Sequence, residues 1–409
     1  MFTIGELNDM PLPVVSLFSG AMGLDLGLEQ AVHGSGERLK VVITQEYDKT
    51  CVNTIRANGY KCIPGDIQQL VTNDPQCNFL SEATGLDVGE AFLVVGGPPC
   101  QPFSTAGRRQ AINDPRGSLF REFVHIIDTL RPRFFIMENV KGLLSAPVRH
   151  RPHIDRKVPL EPDEKPGSAF EIIKQEFRRL GYYTVHGLLD AVHYGVPQFR
   201  ERLFIIGSRD GEDIFLPIPT HFHKHQNEYY RWKTLRSTIE DIENTPGPCA
   251  QFSEERLHYL RQIPMGGNWR NLNPEEMRQA MGGAYHSSGG KAGFFRRLDY
   301  DQPSPTLVTS PVQKATMLCH PTQDRPLSVK EYARIQQFPD DLVFTGSIAE
   351  QYKQIGNAVP GGLGKALGET LLSIALGDSE VNVKRTRGTS IHDQILKMEQ
   401  YTIDIGQVR

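Results

Sequence analysis

Two side chains stand where reacting groups would be expected rather than core constituents, Cys100 and Glu138. Cys100 follows the apolar run Ala91, Phe92, Leu93, Val94, Val95 and then Gly96, Gly97, Pro98 and Pro99. The run reads as a strand buried on both faces. Two glycines let the chain turn without a Cβ clash and two prolines fix consecutive φ angles, so the thiol leaves the strand end on a stiff stem. In an open parallel sheet, the carboxyl ends of strands are where chemistry is placed. An isolated cysteine is most often a small buried hydrophobe. A proline-stiffened turn, by contrast, presents its side chain. Glu138 closes a second run, Arg133, Phe134, Phe135, Ile136, Met137. A carboxyl there is costly to bury unless paired or protonated, and desolvation raises its pKa, as suits a group that gives a proton.

These two residues need a scaffold, and the flanking chain reads as an α/β fold. Residues 14–18 form an apolar strand, residues 19–23 (Ser, Gly, Ala, Met, Gly) a small-residue turn, and Leu24, Leu28, Ala31 and Val32 recur at helical spacing. A strand, glycine turn and helix present backbone N–H groups and a helix N-terminus to a cofactor. The strand at 41–45 ends in Glu46, roughly twenty residues past the turn, where such folds place the acid that binds ribose hydroxyls. The spacing of Gly20 and Gly23 is not GxGxxG, which disfavours a pyrophosphate-bearing dinucleotide and suits a nucleoside cofactor without phosphates. Residues 62–67 look like a third strand end tipped by Asp66, either an acceptor for an adenine amino group or a solvated turn residue.

Beyond Cys100, residues 104–117 are polar and glycine-flanked, with Arg108, Arg109 and Arg116, as a phosphate-contacting loop would be. Residues 119–130 have helical periodicity, stopped by Arg131-Pro132. Residues 145–167 carry five prolines among charges and read as an irregular excursion. Ser168 and Glu171 have capping-box spacing at the start of a helix that Gly181 closes. Strands at 183–189 and 203–207 follow, and between them Gln198, Arg200 and Arg202 alternate, placing all three on one side of an extended segment. From 211 to 325 the texture changes to Pro, Gly, His and Asn with fading periodicity, marking a second, smaller domain. Within it, residues 260–298 hold Arg261, Arg270, Arg278, Lys291, Arg296 and Arg297 against Glu275 and Glu276, with Asn and Gln suited to reading base edges. Ser328 and Glu331 form another capping box, and a helix runs from about 360 to 375. The tail at 377–409 is charged and weakly patterned.

Composition sets the outer limits. A chain of 409 residues with 39% hydrophobic content can bury a full core and hold two domains. No apolar stretch approaches twenty residues and the start lacks a signal pattern, so a soluble cytoplasmic protein is expected. The six cysteines show no CxxC pair or zinc spacing; no metal is expected, and a reducing compartment keeps Cys100 free. A net charge of −3 gives no global nucleic-acid signal.

The ordered set Phe18-Ser19-Gly20-x-x-Gly23-Leu24, Glu46-Tyr47-Asp48, Gly65-Asp66-Ile67, Gly97-Pro98-Pro99-Cys100-Gln101-Pro102, Glu138-Asn139-Val140, Gln198-x-Arg200-x-Arg202 and Gly356-Asn357-Ala358-Val359-Pro360 resembles the DNA (cytosine-5) methyltransferase family. The resemblance covers roughly residues 13–210 and 295–375. It departs at Met22, where the family usually has a further glycine. It implies a Rossmann-like S-adenosylmethionine-dependent methyltransferase sheet, built from 13–210 plus 326–376, with a small target-recognition domain at 211–325. It further implies that Cys100 adds to carbon 6 of a flipped-out cytosine and that Glu138 shares a proton with ring nitrogen 3. Arg202 would contact the cytosine's carbonyl oxygen, with Gln198 and Arg200 bracing the site. S-adenosylmethionine would lie over Phe18, Gly20, Gly23 and Leu24, with Glu46 on the ribose, Asp66 and Ile67 at the adenine, Pro98 beside it and Asn357 at the methionyl end. The expected partner is double-stranded DNA, met by a monomer of restriction-modification type. A tRNA methyltransferase on the same motifs is the main alternative, but a Cys-Phe-Thr signature is missing. A non-catalytic paralogue would have lost Cys100 or Glu138, and an NAD-dependent oxidoreductase would need GxGxxG.

Overall fold

A computed structural model describes residues 11–99, 119–149, 151, 159–225 and 227–377. Cys100, the arginine-bearing segment that follows it and the tail lie outside the described residues. The chain divides into two compact units: residues up to Asp190 with Glu201–Pro219 and everything from Leu363, and Ala191–Arg200 with Thr220–Gly362.

The first unit is built on seven strands. These are β1 (Leu12–Leu17), β2 (Leu39–Glu46), β3 (Cys62–Pro64), β4 (Leu93–Gly96), β5 (Phe134–Asn139), β6 (Tyr183–Asp190) and β7 (Glu201–Ser208). Their order across the sheet is β3-β2-β1-β4-β5-β7-β6. Neighbours from β3 to β5 are parallel, whereas β7 runs antiparallel to both β5 and β6. The central strands explain themselves: β4 is buried along its whole length, and Phe134 to Met137 of β5 are buried too, as a sheet covered on both faces demands. The edge strand β6 is only partly covered and correspondingly mixed in composition.

Helices α1 (Gly23–Glu29), α2 (Lys49–Ala57), α3 (Ile67–Asn73), α4 (Asn78–Thr84), α5 (Leu119–Leu130) and α6 (Ser168–Arg179) connect the strands. One core joins α5 and α6 to the sheet through Phe123, Phe135 and Phe177, with the Phe135 and Phe177 rings stacked 4.1 Å apart. Gly207 faces Phe135 across β5 and β7, and a Cβ there would lie 1.9 Å from the ring. Glycine at 207 therefore makes the room that the aromatic core fills. Arg133 ties the strand entry down through Glu212 at 2.8 Å.

The second unit contains α7 (Arg236–Ile239), α8 (Glu254–Leu260), α9 (Pro274–Met281), α10 (Val329–Ile335) and α11 (Ile348–Asn357). The division between units falls in the first turn of α12 (Gly361–Leu376). From Leu363 onward α12 packs in the first unit, where Gly364 sits against the Leu24 carbonyl and Gly368 against Ala31. Phe252, Leu260, Trp269, Met281, Phe295 and Met317 form a core of the second unit. A buried charge network holds it as well: Glu331 accepts from Arg325 at 2.7 and 2.8 Å and faces His320 at 3.5 Å. Burial pushes the His320 imidazole down to about 4, so it stays neutral there.

Residues 326–362 fall in the second unit and the helix from Leu363 in the first. One sequence expectation is corrected. The capping box at Ser168 and Glu171 does not form: Gly167, left-handed, precedes α6, Ser168 Oγ donates to the Asp163 carbonyl and accepts from Val148 N–H, and Glu171 pairs with Lys174. The box forms instead at Glu161 and Glu164. The helix expected after Gln354–Pro360 is present as α12, and Gln354 to Asn357 also end α11. The expected box at Ser328 and Glu331 is present.

Candidate active site

The turn after β1 is held by three left-handed residues within five positions, Phe18, Gly20 and Met22, at φ 55°, 54° and 66°. Left-handed backbone costs a non-glycine residue roughly 1–2 kcal/mol. Met22 bears it with its side chain buried, so the methionine that departs from the resemblance anchors the turn in the core and leaves Gly20 open. The Gly20 N–H donates to Glu46 Oε2 at 2.8 Å, and Glu46 Oε1 accepts from the Tyr47 and Asp48 amides at 2.8 and 2.7 Å. The glycine turn and the acid are thus one structure, formed because β1 and β2 are parallel neighbours that end together. Burial lifts the Glu46 carboxyl above its usual range, and the three amides pull it back in part.

Asp66 stands at the next strand end, where it caps α3 by accepting from Gln68 N–H at 3.0 Å. Gly65 N–H donates to the Glu46 carbonyl and Gln45 Nε2 to the Gly65 carbonyl, so the third strand end is locked beside the second. Leu24 and Ile67 turn their side chains into the core, so it is their backbone that faces the strand ends. Phe18 is half-buried and packs against the sheet core. Gly23 is buried as the first residue of α1.

Sequence reading passed over Asp25, an acid on the buried face of α1 between Leu24 and Leu28. Its Oδ1 has no hydrogen-bond partner among the described residues, and burial pushes the carboxyl up to about 7, outweighing the Ser16 hydroxyl. Between about pH 4 and pH 7 the folded chain therefore holds a proton that the unfolded chain releases, so stability falls as pH rises through this window, by a few kcal/mol. Asp25→Asn keeps the shape and removes the titration. Urea unfolding at about pH 5 and about pH 8 is expected to show the variant gaining on the parent at the higher pH; parallel losses in both would refute this.

At the end of β4 the two glycines serve space rather than turning. A Cβ at Gly96 would lie 2.8 Å from the Phe123 ring, and one at Gly97 2.8 Å from Glu138 Oε2. Neither glycine has a left-handed φ, which corrects the expectation that they were needed to turn the chain. The stem toward Cys100 is latched from β5, since Asn139 Nδ2 donates to the buried Pro98 carbonyl at 3.2 Å. Glu138 itself is paired: Arg202 Nε lies 3.0 Å from its Oε1, both side chains about 15% exposed. Arg202 is delivered by β7, which lies antiparallel beside β5. The sheet therefore brings together Gly97, Pro98, Glu138, Asn139 and Arg202. Cys100 lies outside the described residues.

Gln198 and Arg200 fall in the second unit and are fully buried, whereas Arg202 falls in the first. Gln198 accepts from Leu307 N–H and donates to Gln336 at 2.9 Å each. Arg200 donates to the carbonyls of Leu307 at 3.0 Å and Gly356 at 2.9 Å. Their side chains tie Leu307, Gln336 and Gly356 together. What they position is the end of α11, where Asn357 is exposed. Gly356 is required there, because a Cβ would lie 2.4 Å from the Val308 carbonyl.

Among the described residues no group of three His, Cys, Asp or Glu side chains could hold a metal ion, and no helix is long and apolar enough to cross a membrane. The ends of β1, β2 and β3 offer carboxylates and an open glycine rather than a phosphate cradle. That donor set fits a cationic nucleoside, and S-adenosylmethionine is one.

Residues 12–373 match the family described as C-5 cytosine-specific DNA methylase, and the chain belongs to that family. It is 36% identical over 367 residues to the Type II methyltransferase M.PspPI of Psychrobacter sp., covering 88% of this chain and 78% of that protein. It is also 36% identical to M.Sau96I of Staphylococcus aureus, covering 88% and 75%, and 35% identical to M.Eco47II of Escherichia coli, covering 90% and 81%. Among solved structures, a mutant of Spodoptera frugiperda DNMT2 aligns with TM-score 0.56 at 16% identity, over 88% of this chain and 99% of that one. Dnmt2 of S. pombe aligns with TM-score 0.53 at 18% identity, over 88% and 98%. These structures share the methyltransferase fold.

Proposed function

We propose that the enzyme methylates carbon 5 of a cytosine within a specific double-stranded DNA sequence, as the modification partner of a Type II system in the cytoplasm, acting as a monomer. DNA cytosine-5 methylation follows from the family; the chemistry below is our assignment. One observation carries it: the Glu138–Arg202 pair stands at a strand end, against Gly97 and beside the latched Pro98 stem that leads two residues on to Cys100.

Cytosine carbon 5 is too weak a nucleophile to take a methyl group unaided. The Cys100 thiolate adds at carbon 6, and the ring electrons move toward carbon 5 and nitrogen 3. Glu138 holds a proton at nitrogen 3 while this happens, and Arg202, already beside Glu138, reaches the ring's carbonyl oxygen. S-adenosylmethionine, when bound, supplies an electrophilic methyl group on sulfur. Gly20 and Glu46 would hold its ribose side, Asp66 its adenine and Asn357 its methionyl end. Once carbon 5 carries the methyl group, its proton leaves to water, the carbon 6–sulfur bond breaks to restore the thiolate, and the nitrogen 3 proton returns to Glu138. The target base must first rotate out of the duplex, at a cost of about a few kcal/mol in stacking and pairing. The second unit supplies target recognition.

The test is methyl transfer from labelled S-adenosylmethionine. Purified enzyme is expected to label duplex DNA of mixed sequence and not tRNA, and sequencing the product for modified cytosines gives the site. Label on tRNA alone would overturn the assignment in favour of the other substrate.

A further inference from the structure

The basic residues of the second unit sort into two sets. Most arginines are satisfied by acids: Arg236 by Asp301, Arg297 by Asp324, Arg325 by Glu331, Arg334 by Asp241 and Asp340, all at 2.7 Å or less. Arg261 is shared between Glu254 and Asp324. Arg297, expected to read DNA, is instead 5% exposed and donates to the Leu260, Ile263, His320 and Gln323 carbonyls. It is a structural tie.

A second set has no such partners among the described residues, Arg256, Arg278 and Lys233 included, and four of its members stand together. Arg270, Lys291, Arg296 and Lys314 form no ion pair with any carboxylate among the described residues. They are drawn together by one small framework. Trp269 takes Phe294's carbonyl on its N–H and Lys291's on its indole N–H, and the Arg270 guanidinium lies over its ring at 5.0 Å. Gly293 packs on the Ala315 carbonyl, next to Lys314, and accepts from Met317 N–H, while Arg296 Nε donates to the Met317 carbonyl at 3.2 Å. The three segments involved, residues 268–272, 291–297 and 313–317, contain no Asp or Glu. Arg270 and Lys314 are exposed, and Arg296 is half-buried with no carboxylate beside it among the described residues. Desolvation lowers its pKa and the neighbouring Tyr332 offsets this only in part, a cost that a bound anion would relieve.

Uncompensated cations gathered on one framework suit a partner that brings regularly spaced negative charge. We propose that Arg270, Lys291, Arg296 and Lys314 form a phosphate-backbone contact surface for duplex DNA, fixing register without reading sequence. This rests on the methyltransferase reading and adds to it a division of labour: these residues position, and base edges are read elsewhere.

Binding of a short mixed-sequence duplex is measured against KCl concentration for the full chain, the four single Gln variants and the quadruple variant. Each lost phosphate contact lowers the slope of log K against log salt by about 0.9, so the quadruple variant should lose about 3–4. Arg296→Lys keeps the charge and should keep the slope. Arg261→Gln, whose charge is already neutralised, serves as the unaffected control. The exposed Arg270→Gln and Lys314→Gln variants, checked by thermal melting, guard against misfolding. An unchanged slope in folded variants would leave the patch to an acidic protein and overturn the proposal. Failure of the unaltered enzyme to bind any duplex would instead strike at the methyltransferase reading itself.

Discussion

Cys100→Ala is expected to bind S-adenosylmethionine and duplex DNA but to transfer no measurable methyl label. The argument is one of electron supply. Without a sulfur adding at carbon 6, the cytosine ring keeps its aromatic electrons and carbon 5 cannot attack. Four of the other five cysteines are unsuited to replace it, and the fifth, Cys249, is half-buried in the second unit. Cys51, Cys62, Cys77 and Cys319 are buried, and burial pushes the Cys77 and Cys319 thiols up to about 11 and about 12 and raises that of Cys62. These thiols stay protonated at neutrality, and a thiol is a poor nucleophile. A duplex carrying 5-fluorocytosine sharpens the measurement, since fluorine at carbon 5 cannot leave as a proton and the sulfur–carbon bond persists. The parent enzyme is expected to form a denaturant-stable complex with it, and Cys100→Ala none. Normal turnover in the alanine variant would end the covalent mechanism.

Glu138→Gln tests the same site from its other side, with an expected loss of about 10²–10⁴-fold in rate. Glutamine can still accept from Arg202, so the pair's geometry survives while the shared proton does not. The glycine at 97 matters here, because it lets the carboxyl lie directly against the stem that carries Cys100.

How much of this was legible beforehand follows from how local each feature is. The apolar strands, the proline stem, the acid closing Phe134 to Met137 and Glu46 beyond its glycine turn are written in consecutive residues, and all were read. The pairing of Glu138 with Arg202 was not, because it depends on β7 entering the sheet antiparallel, 64 positions along the chain. The burial of Gln198 and Arg200 was not legible for a related reason: a single extended segment passes from one compact unit into the other, so residues alternating along it have different surroundings. Ser168 and Glu171 have the right spacing for a cap, but Ser168 is drawn to the Asp163 carbonyl by a tertiary contact that spacing cannot anticipate. The second unit was least legible, since side chain to backbone ties such as those of Arg297 hold much of it and leave no periodicity.

Removing the Arg200 charge should produce the largest loss of stability. Its guanidinium is 1% exposed and donates to two carbonyls, Leu307 and Gly356, from segments 107 and 156 residues away in sequence. Arg200→Met fills most of the same volume and supplies no donor, leaving two buried carbonyls short of partners. At about 1–3 kcal/mol for each such group, the loss is on the order of 2–6 kcal/mol, a large part of a typical domain's 5–15. Arg200→Lys keeps the charge but cannot reach both acceptors in a fixed fork, so it should fall between. Because the Gly356 carbonyl is one of the two, unfastening it also loosens the end of α11. Thermal melting of the three proteins decides the matter. A methionine variant that melts with the parent would show that Arg200 holds nothing together.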